Sequence, residues 1–190
     1  MTNVTLLTHN YKPVKKRTLF LDRDGVVNVQ RIDDYVKCPS EFVFRDDFLK
    51  SLPLIQQHFQ KIIIVTNQQG IAKGICTAEQ VDNVHQYLLH ELHKQGYNID
   101  KIYVCPHLAG SGCNCRKPEI GMALQAKNDF PDIDFNNSVM IGDMLSDMVF
   151  GKRCKMETVY IGKKCKEEEM EIQKYSDHIV SSIYQYVSNL

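Results

Sequence analysis

The sequence predicts an α/β fold, a doubly wound parallel sheet with helices on both faces. Short apolar segments alternate with amphipathic ones, as expected when each strand is followed by a helix that crosses back to the next strand. The segment Ile62–Val65 is β-branched throughout, which is typical of a strand covered on both faces. The 190 residues suffice for one domain. We therefore predict residues 1–16 as an N-terminal leader and residues 17–190 as a single domain.

The predicted elements follow in chain order. Five apolar segments are predicted as strands: Thr18–Leu21, Ile62–Val65, Ile102–Val104, Val139–Ile141 and Thr158–Ile161. Helices are predicted in four places and again in the charged tail: Asp46–Gln60, Thr77 to Gly96, Gly121–Asp129, after Asp143, and in the tail from Lys163.

The helix that begins at Thr77 has the clearest signals. Thr77 and Gln80 form a capping box, and Gly96 suits a C-terminal stop. Its apolar positions share one face: Val81, Val84, Leu88 and Leu92. Its histidines are predicted to lie on the helix surface: His85, His90 and His93.

Composition and charge argue against several classes of function. The formal net charge is zero, so no global field attracts the chain to nucleic acid or to a membrane surface. No apolar segment reaches membrane-spanning length, and the first residues do not resemble a signal peptide, which makes the cytoplasm the expected compartment. Seven cysteines in that compartment are expected as thiols or metal ligands.

Two strands are each followed by an acidic pair. Asp22 and Asp24 follow the first strand, and Gly25 permits the turn that points both into the crevice where such sheets bind ligands. A carboxylate pair can hold Mg²⁺ or divide into a nucleophile and a general acid. Asp143 and Asp147 follow the fourth strand and can complete a magnesium site. Taken singly, these pairs could instead be a surface turn and a helix cap.

Two further segments place phosphate-binding groups near strand ends. Thr66–Gly70 offers a hydroxyl and amide groups after the second strand. Arg116 and Lys117 precede Pro118 and can offset the charge of a phosphate dianion beside two aspartates. Each alone could be an ordinary polar loop or a solvated basic pair. All four segments together, in this order, favour phosphate chemistry.

These four segments resemble the four signature motifs of the haloacid dehalogenase superfamily, which has a Rossmann-like core. The resemblance implies a magnesium-dependent phosphatase with Asp22 as nucleophile and Asp24 as acid/base. An aspartyl-phosphate is expected on Asp22, formed as Asp24 protonates the leaving oxygen and then hydrolysed by water that Asp24 activates.

The same resemblance implies roles for the remaining motif residues. Thr66 contacts phosphate and Lys117 neutralises charge in the catalytic step. Magnesium is held by the Asp22 carboxylate, the Asp24 backbone carbonyl and Asp143, with Asp147 in support. The residues implied in substrate binding are Thr66, Asn67, Gln68, Gln69, Arg116 and Lys117.

A second set of metal ligands precedes Arg116. Cys105, His107, Cys113 and Cys115 suit a closed, tetrahedral and therefore structural Zn²⁺ site, with free loop thiols as the alternative. Because this loop ends next to the cations, bound zinc would fix their orientation. The other cysteines are predicted as unpaired core or surface thiols: Cys38, Cys76, Cys154 and Cys165.

The zinc loop narrows the resemblance to the histidinol-phosphatase-like branch of the superfamily. Gln69–Gly74 and the segment from Cys115 to Met122 resemble the branch members that remove the 7-phosphate of D-glycero-D-manno-heptose 1,7-bisphosphate, which is the expected activity. Histidinol phosphate is the alternative substrate, because the interval from His107 to Cys113 is short and Met144 replaces the usual basic residue.

Substrate selection is assigned to loops. The interval from Val27 to Ile62 leaves no room for a separate cap domain, so the loop Val29–Glu41 and the zinc loop are expected to select the substrate, with Tyr35 as a candidate contact. The expected partner is a small phosphorylated sugar rather than nucleic acid or a membrane, and a monomer is compatible with the sequence. A catalytically silent phosphate-binding protein and a nucleic-acid end-processing phosphatase are the other functions considered.

Overall fold

The computed structural model describes residues 17–32, 34–162 and 169–190. Its six strands are β1 (Arg17–Leu21), β2 (Phe59–Asn67), β3 (Lys101–Cys105), β4 (Ser138–Gly142), β5 (Glu157–Ile161) and β6 (His178–Val180). They form one sheet in the order β3-β2-β1-β4-β5-β6, and every pair is parallel. The predicted doubly wound α/β fold is confirmed. The predicted leader, Cys165 and the start of the predicted tail helix lie outside the described residues.

The helices largely follow the predicted pattern. They are α1 (Asp46–His58), α2 (Ala78–Lys94), α3 (Gly121–Asp129), α4 (Leu145–Arg153), α5 (Glu169–Tyr175) and α6 (Ile183–Val187). The capping box at Thr77 is formed in both directions, and Gly96 has φ +83° beyond the C-terminus of α2. The prediction that α1 extends to Gln60 is wrong, because the backbone becomes extended at Phe59. The sequence pattern also missed β6, which is a three-residue edge strand.

Two apolar layers enclose the sheet, one on each face. Successive residues of β1 point to opposite sides, so Leu19 and Leu21 join the layer that contains α1, α2 and α6. Phe20 joins the other layer, which contains Met122 of α3 and Phe150 of α4. All five side chains are fully buried, and the central strand is therefore held from both sides.

The strand order sets the position of the functional site. From β1 the chain runs outward through β2 and β3 and then returns to β4, so the topological switch point lies between β1 and β4. Between β1 and α1, the only helix in the described residues is a short 3-10 helix at Pro39–Glu41, as expected for a protein without a cap domain. None of the helices in the described part of the chain is long and apolar enough to cross a membrane.

Candidate active site

A buried lysine bridges two carboxylates at the switch point. Lys117 Nζ lies 2.5 Å from Asp22 Oδ1 and 2.7 Å from Asp147 Oδ1, and it donates a third hydrogen bond to the Val65 carbonyl at 2.7 Å. All three charged side chains are nearly inaccessible to solvent. Burial alone would lower the pKa of Lys117, but the charges of Asp147 and Asp22 outweigh it and raise the pKa, so the side chain is an ammonium.

The side chain of Asn67 fixes the backbone at Lys117. Its Oδ1 accepts a hydrogen bond from the Lys117 amide at 3.0 Å, and its Nδ2 donates to the Lys117 carbonyl at 3.2 Å. Asn67 ends β2, whereas Lys117 lies in the loop before α3. These two bonds tie the lysine loop to the carboxyl end of the sheet. The sequence predicted Asn67 as a substrate contact, and the structure adds this positioning role.

Three carboxylates form a cluster beside Lys117. Oxygen atoms of Asp22, Asp143 and Asp147 all lie within 4.8 Å of one another. Burial first, and then the neighbouring carboxylates, raise the pKa of Asp22 to about 7 and that of Asp143 to about 8, although Lys117 opposes both shifts. Oδ1 of Asp143 is buried without a hydrogen-bond partner among the residues that the structure describes. This crowding of hard oxygen ligands fits a divalent cation such as Mg²⁺.

Gly25 makes this close approach possible. Its φ is +91°, and a Cβ placed there would lie 1.9 Å from Oδ2 of Asp143. The turn after β1 therefore needs glycine for its backbone conformation and for the space that Asp143 occupies.

Asp24 is held by three donors. Arg23 Nη2 lies 2.9 and 2.8 Å from its two oxygens, Asn28 Nδ2 donates to Oδ1 at 2.9 Å, and Gln68 Nε2 donates to Oδ2 at 2.7 Å. Burial raises the pKa of this carboxyl, but the Arg23 charge and the hydrogen bonds outweigh it, so the pKa lies below its usual range. The carboxylate is thus ionised in this arrangement, and it can act as a general acid only after it takes up a proton.

Thr66 lines the cavity, whereas Gln68 lies behind it. The Thr66 hydroxyl lines it and accepts a hydrogen bond from Gln68 Nε2 at 2.8 Å. Gln68 is fully buried and contacts Asp24 and Thr66 instead of the cavity. The substrate contact expected of Gln68 stays a prediction, and in this arrangement its side chain bonds to Asp24 and Thr66. The amide of Gln68 thus connects the Asp24 carboxylate with the Thr66 hydroxyl.

Two buried residues behind the candidate site were not identified from the sequence. Arg23 is completely buried, and its Nη1 lies 2.9 Å from Nε2 of His85. The prediction that His85 lies on the helix surface is wrong, because α2 packs this side chain against the turn after β1. The spacing gave a signal for this, since position 85 falls on the same face as Val81, Val84 and Leu88. His90 and His93 are exposed as predicted.

A cavity of about 440 Å³ opens above these groups. Four carboxylates and four cations line it: Asp22, Asp24, Asp34, Asp147, Arg31, Lys73, Arg116 and Lys117. Arg31 is ion-paired with Asp34. Gln69, Tyr35 and Met144 also line it, and the Lys73 ammonium lies 5.8 Å from the centre of the Tyr35 ring. The volume fits a small-molecule ligand, and the cations in the lining can bind an anionic one.

The four predicted zinc ligands come together. Cys105, His107, Cys113 and Cys115 each offer an atom within 4.8 Å of the others. Sulfur atoms of Cys105 and Cys113 are 3.7 Å apart, and Nδ1 of His107 lies 3.2 Å from the Cys115 sulfur. Tetrahedral Zn²⁺ with thiolate ligands separates the sulfurs by about 3.8 Å. The sulfur atoms of Cys105 and Cys115 lie closer together, at 3.1 Å. The donor types and their clustering fit a zinc site, as the sequence predicted.

Comparisons with known proteins agree with this geometry. The family described as HAD-hydrolase-like matches residues 114–186. A D-glycero-alpha-D-manno-heptose-1,7-bisphosphate 7-phosphatase from Campylobacter jejuni is 42% identical over 148 residues, which cover 78% of this chain and 83% of that protein. A D-glycero-beta-D-manno-heptose-1,7-bisphosphate 7-phosphatase from Pasteurella multocida is 34% identical over 174 residues, which cover 88% and 93% of the two chains.

A solved structure has the same fold. The D,D-heptose 1,7-bisphosphate phosphatase from B. bronchiseptica superimposes with a TM-score of 0.78, covering 91% of this chain and 97% of that one at 24% identity. That protein was crystallised in complex with magnesium and phosphate.

Proposed function

The chain belongs to the family of D-glycero-D-manno-heptose-1,7-bisphosphate 7-phosphatases within the haloacid dehalogenase-like hydrolases, and we propose that it removes the 7-phosphate of D-glycero-D-manno-heptose 1,7-bisphosphate. It is a phosphatase that acts on phosphomonoesters. The observation that carries the proposal is the buried Lys117 ammonium between Asp22 and Asp147, at a cavity that Lys73 and Arg116 also line.

Asp22 is the proposed nucleophile. A carboxylate that approaches a phosphoryl group is repelled by its negative charge, so positive charge must be present at the point of attack. The Lys117 ammonium, 2.5 Å from Asp22 Oδ1, supplies part of it and fixes the orientation of the carboxylate. The Thr66 hydroxyl is placed to donate a hydrogen bond to a phosphoryl oxygen, since its oxygen already accepts from Gln68.

Magnesium would be held by Asp22, Asp143 and the backbone carbonyl of Asp24, with Asp147 in support. The fit rests on the three clustered carboxylates and on the unpartnered Asp143 oxygen. When bound, Mg²⁺ supplies Lewis-acid stabilisation of negative charge on the phosphoryl oxygens. Asp147 keeps Lys117 in place, because its Oδ1 accepts a hydrogen bond from the ammonium.

Asp24 is the proposed acid/base group. Asp22 attacks phosphorus and forms an aspartyl-phosphate as the bond to the sugar oxygen breaks, and Asp24, which must enter this step as the protonated carboxylic acid, transfers its proton to that oxygen. In the second step Asp24 takes a proton from water, which attacks the aspartyl-phosphate and releases phosphate. Asp22 is regenerated, so atoms and charge balance over the cycle.

Zinc is the proposed structural ion of the loop from Cys105 to Cys115. The loop continues directly into Arg116 and Lys117, and the Arg116 guanidinium donates to the His107 carbonyl at 3.4 Å. The ion would therefore stabilise the position of both cations without contacting substrate.

The remaining cavity residues are proposed to bind the rest of the sugar bisphosphate. Arg116 and Gln69 lie near the phosphoryl site, and Ala109 of the zinc loop donates a hydrogen bond to Gln69 Oε1 at 3.4 Å. Tyr35, from the loop that follows β1, and Lys73, from the segment that follows β2, both line the cavity and contact each other. Lys73 and Arg116 are the residues proposed to bind the second phosphate of the substrate, because both cations line the cavity that Lys117 also lines.

The test is phosphate release with Mg²⁺ from both anomers of heptose 1,7-bisphosphate and from histidinol phosphate, with Asp22→Asn as control. The proposal predicts a preference for the bisphosphate that is lost in the variant. Preference for histidinol phosphate would keep the mechanism and overturn the substrate. Failure to hydrolyse any of these esters or p-nitrophenyl phosphate would indicate a catalytically silent binding protein.

A further inference from the structure

Arg23 is an enclosed arginine with few partners. Its side chain is completely buried, and its Nε has no hydrogen-bond partner among the described residues. The guanidinium instead contacts His85 through Nη1 at 2.9 Å and Asp24 through Nη2 at 2.9 and 2.8 Å. The orientation of Arg23 therefore depends on one acceptor at each end.

The contact with Arg23 determines the hydrogen-bonding role of His85. A guanidinium can only donate, so Nε2 of His85 must accept, and the neutral ring carries its proton on Nδ1. His85 lies on α2, between the buried residues Val84 and Leu88. It is anchored by the apolar core of the helix rather than by a flexible loop.

The donors around Asp24 are not equivalent. Oδ1 accepts from Arg23 and Asn28, and Oδ2 accepts from Arg23 and Gln68, so a proton can reach either oxygen only if a donor gives way. Neutral amides give way more easily than a charged guanidinium. Oε1 of Gln68 is buried without a partner in the described part of the chain, so a half-turn of its amide would present an acceptor to protonated Asp24.

We propose that His85 is a positioning residue for catalysis, which acts through Arg23 to hold the Asp24 carboxyl in line with the leaving oxygen. This proposal rests on the acid/base role of Asp24 given above. The amides of Asn28 and Gln68 adjust when the proton arrives, while Arg23, fixed from behind by His85, keeps the carboxyl in place.

The test compares two ester classes. An alkyl phosphate, such as heptose bisphosphate or histidinol phosphate, leaves as an alkoxide and requires the proton of Asp24. The leaving group of p-nitrophenyl phosphate is a stable phenolate and does not. Values of kcat/KM report only the steps up to the first phosphoryl transfer, and the fraction of folded enzyme cancels when the two esters are compared in one preparation.

Three variants in α2 separate the possibilities. His85→Leu removes the acceptor at similar volume, whereas His85→Gln retains one, because the Gln Oε1 can occupy the position of Nε2. His90→Leu is the control, since His90 is exposed on the same helix. General acid catalysis contributes about 10²- to 10⁴-fold. We expect His85→Leu to lower kcat/KM at least about tenfold for the alkyl ester and less than about threefold for the aryl ester, and His85→Gln to restore most of the loss.

Asp24→Asn distinguishes failure of the inference from failure of the proposed function. It should reproduce the selective loss for the alkyl ester in stronger form. If it does so but His85→Leu slows both esters equally, His85 is only structural and the inference is overturned. Equal loss for both esters in Asp24→Asn would overturn the acid/base role itself and, with it, the inference.

Discussion

Acidification should unfold this protein partly through His85. Burial first, then the positive charge of Arg23, lowers the pKa of His85 from 6.5 to about 3, and Asp24 opposes the shift only in part. Between these two pKa values the unfolded chain binds a proton at His85 and the folded chain does not. The free energy of unfolding therefore rises with pH across this window, and the stability that neutral His85 contributes above pH 6.5 is lost as the pH falls.

The size of this loss follows from the two pKa values. At about pH 5 the unfolded state gains RT ln(1 + 10^1.5), or about 2 kcal/mol, whereas at about pH 7.5 it gains almost nothing. A loss of about 2 kcal/mol is a large fraction of the stability of a typical domain.

Urea unfolding at these two pH values measures the loss. His85→Gln retains an acceptor for Arg23 but cannot be protonated, so its free energy of unfolding should fall by about 2 kcal/mol less than that of the wild type on acidification. His90→Gln, at an exposed position of the same helix, should behave as the wild type. The metal sites are the same in all three proteins and cancel in the comparison. Equal losses in the wild type and His85→Gln would refute a neutral, buried His85.

Three further predictions concern the metal sites. Gly25→Ala should lower the free energy of unfolding by at least about 1 kcal/mol more than Gly74→Ala. Both glycines have positive φ, but only at Gly25 would a Cβ meet Asp143. Equal losses of stability in urea would contradict this explanation. Addition of Mg²⁺ at a hundredfold excess over Kd should stabilise the metal-free protein by about 2.7 kcal/mol. Asp143→Asn should remove this stabilisation. An unchanged urea midpoint of the wild type on addition of Mg²⁺ would argue against the site. Cys113→Ser should reduce the zinc content measured by elemental analysis and lower the Tm. The control Cys38→Ser, outside the cluster, should retain the zinc ion. Full zinc content in Cys113→Ser would exclude Cys113 as a ligand.

Local patterns in the sequence were sufficient for most elements and for the position of the site. The β-branched segment at Ile62 and the capping box at Thr77 are short-range signals, and the structure confirms both. Because parallel strands end at one edge, polar residues that follow them converge there whatever the details of packing. Asp22 and Lys117, 95 residues apart, are thus brought into contact as their motifs predicted.

The hydrogen-bond network beneath the site was decided by tertiary structure. Arg23 and His85 are 62 residues apart, and their contact depends on how α2 lies against the turn after β1. The orientation of Gln68 also depends on packing, because Asp24 and Thr66 both lie within hydrogen-bond distance of its side-chain amide. Local periodicity and chain order alone place these polar groups at the strand ends. Only the packed structure determined which polar groups lie behind them, because a buried donor must bond to whichever acceptor the packing brings within about 3 Å.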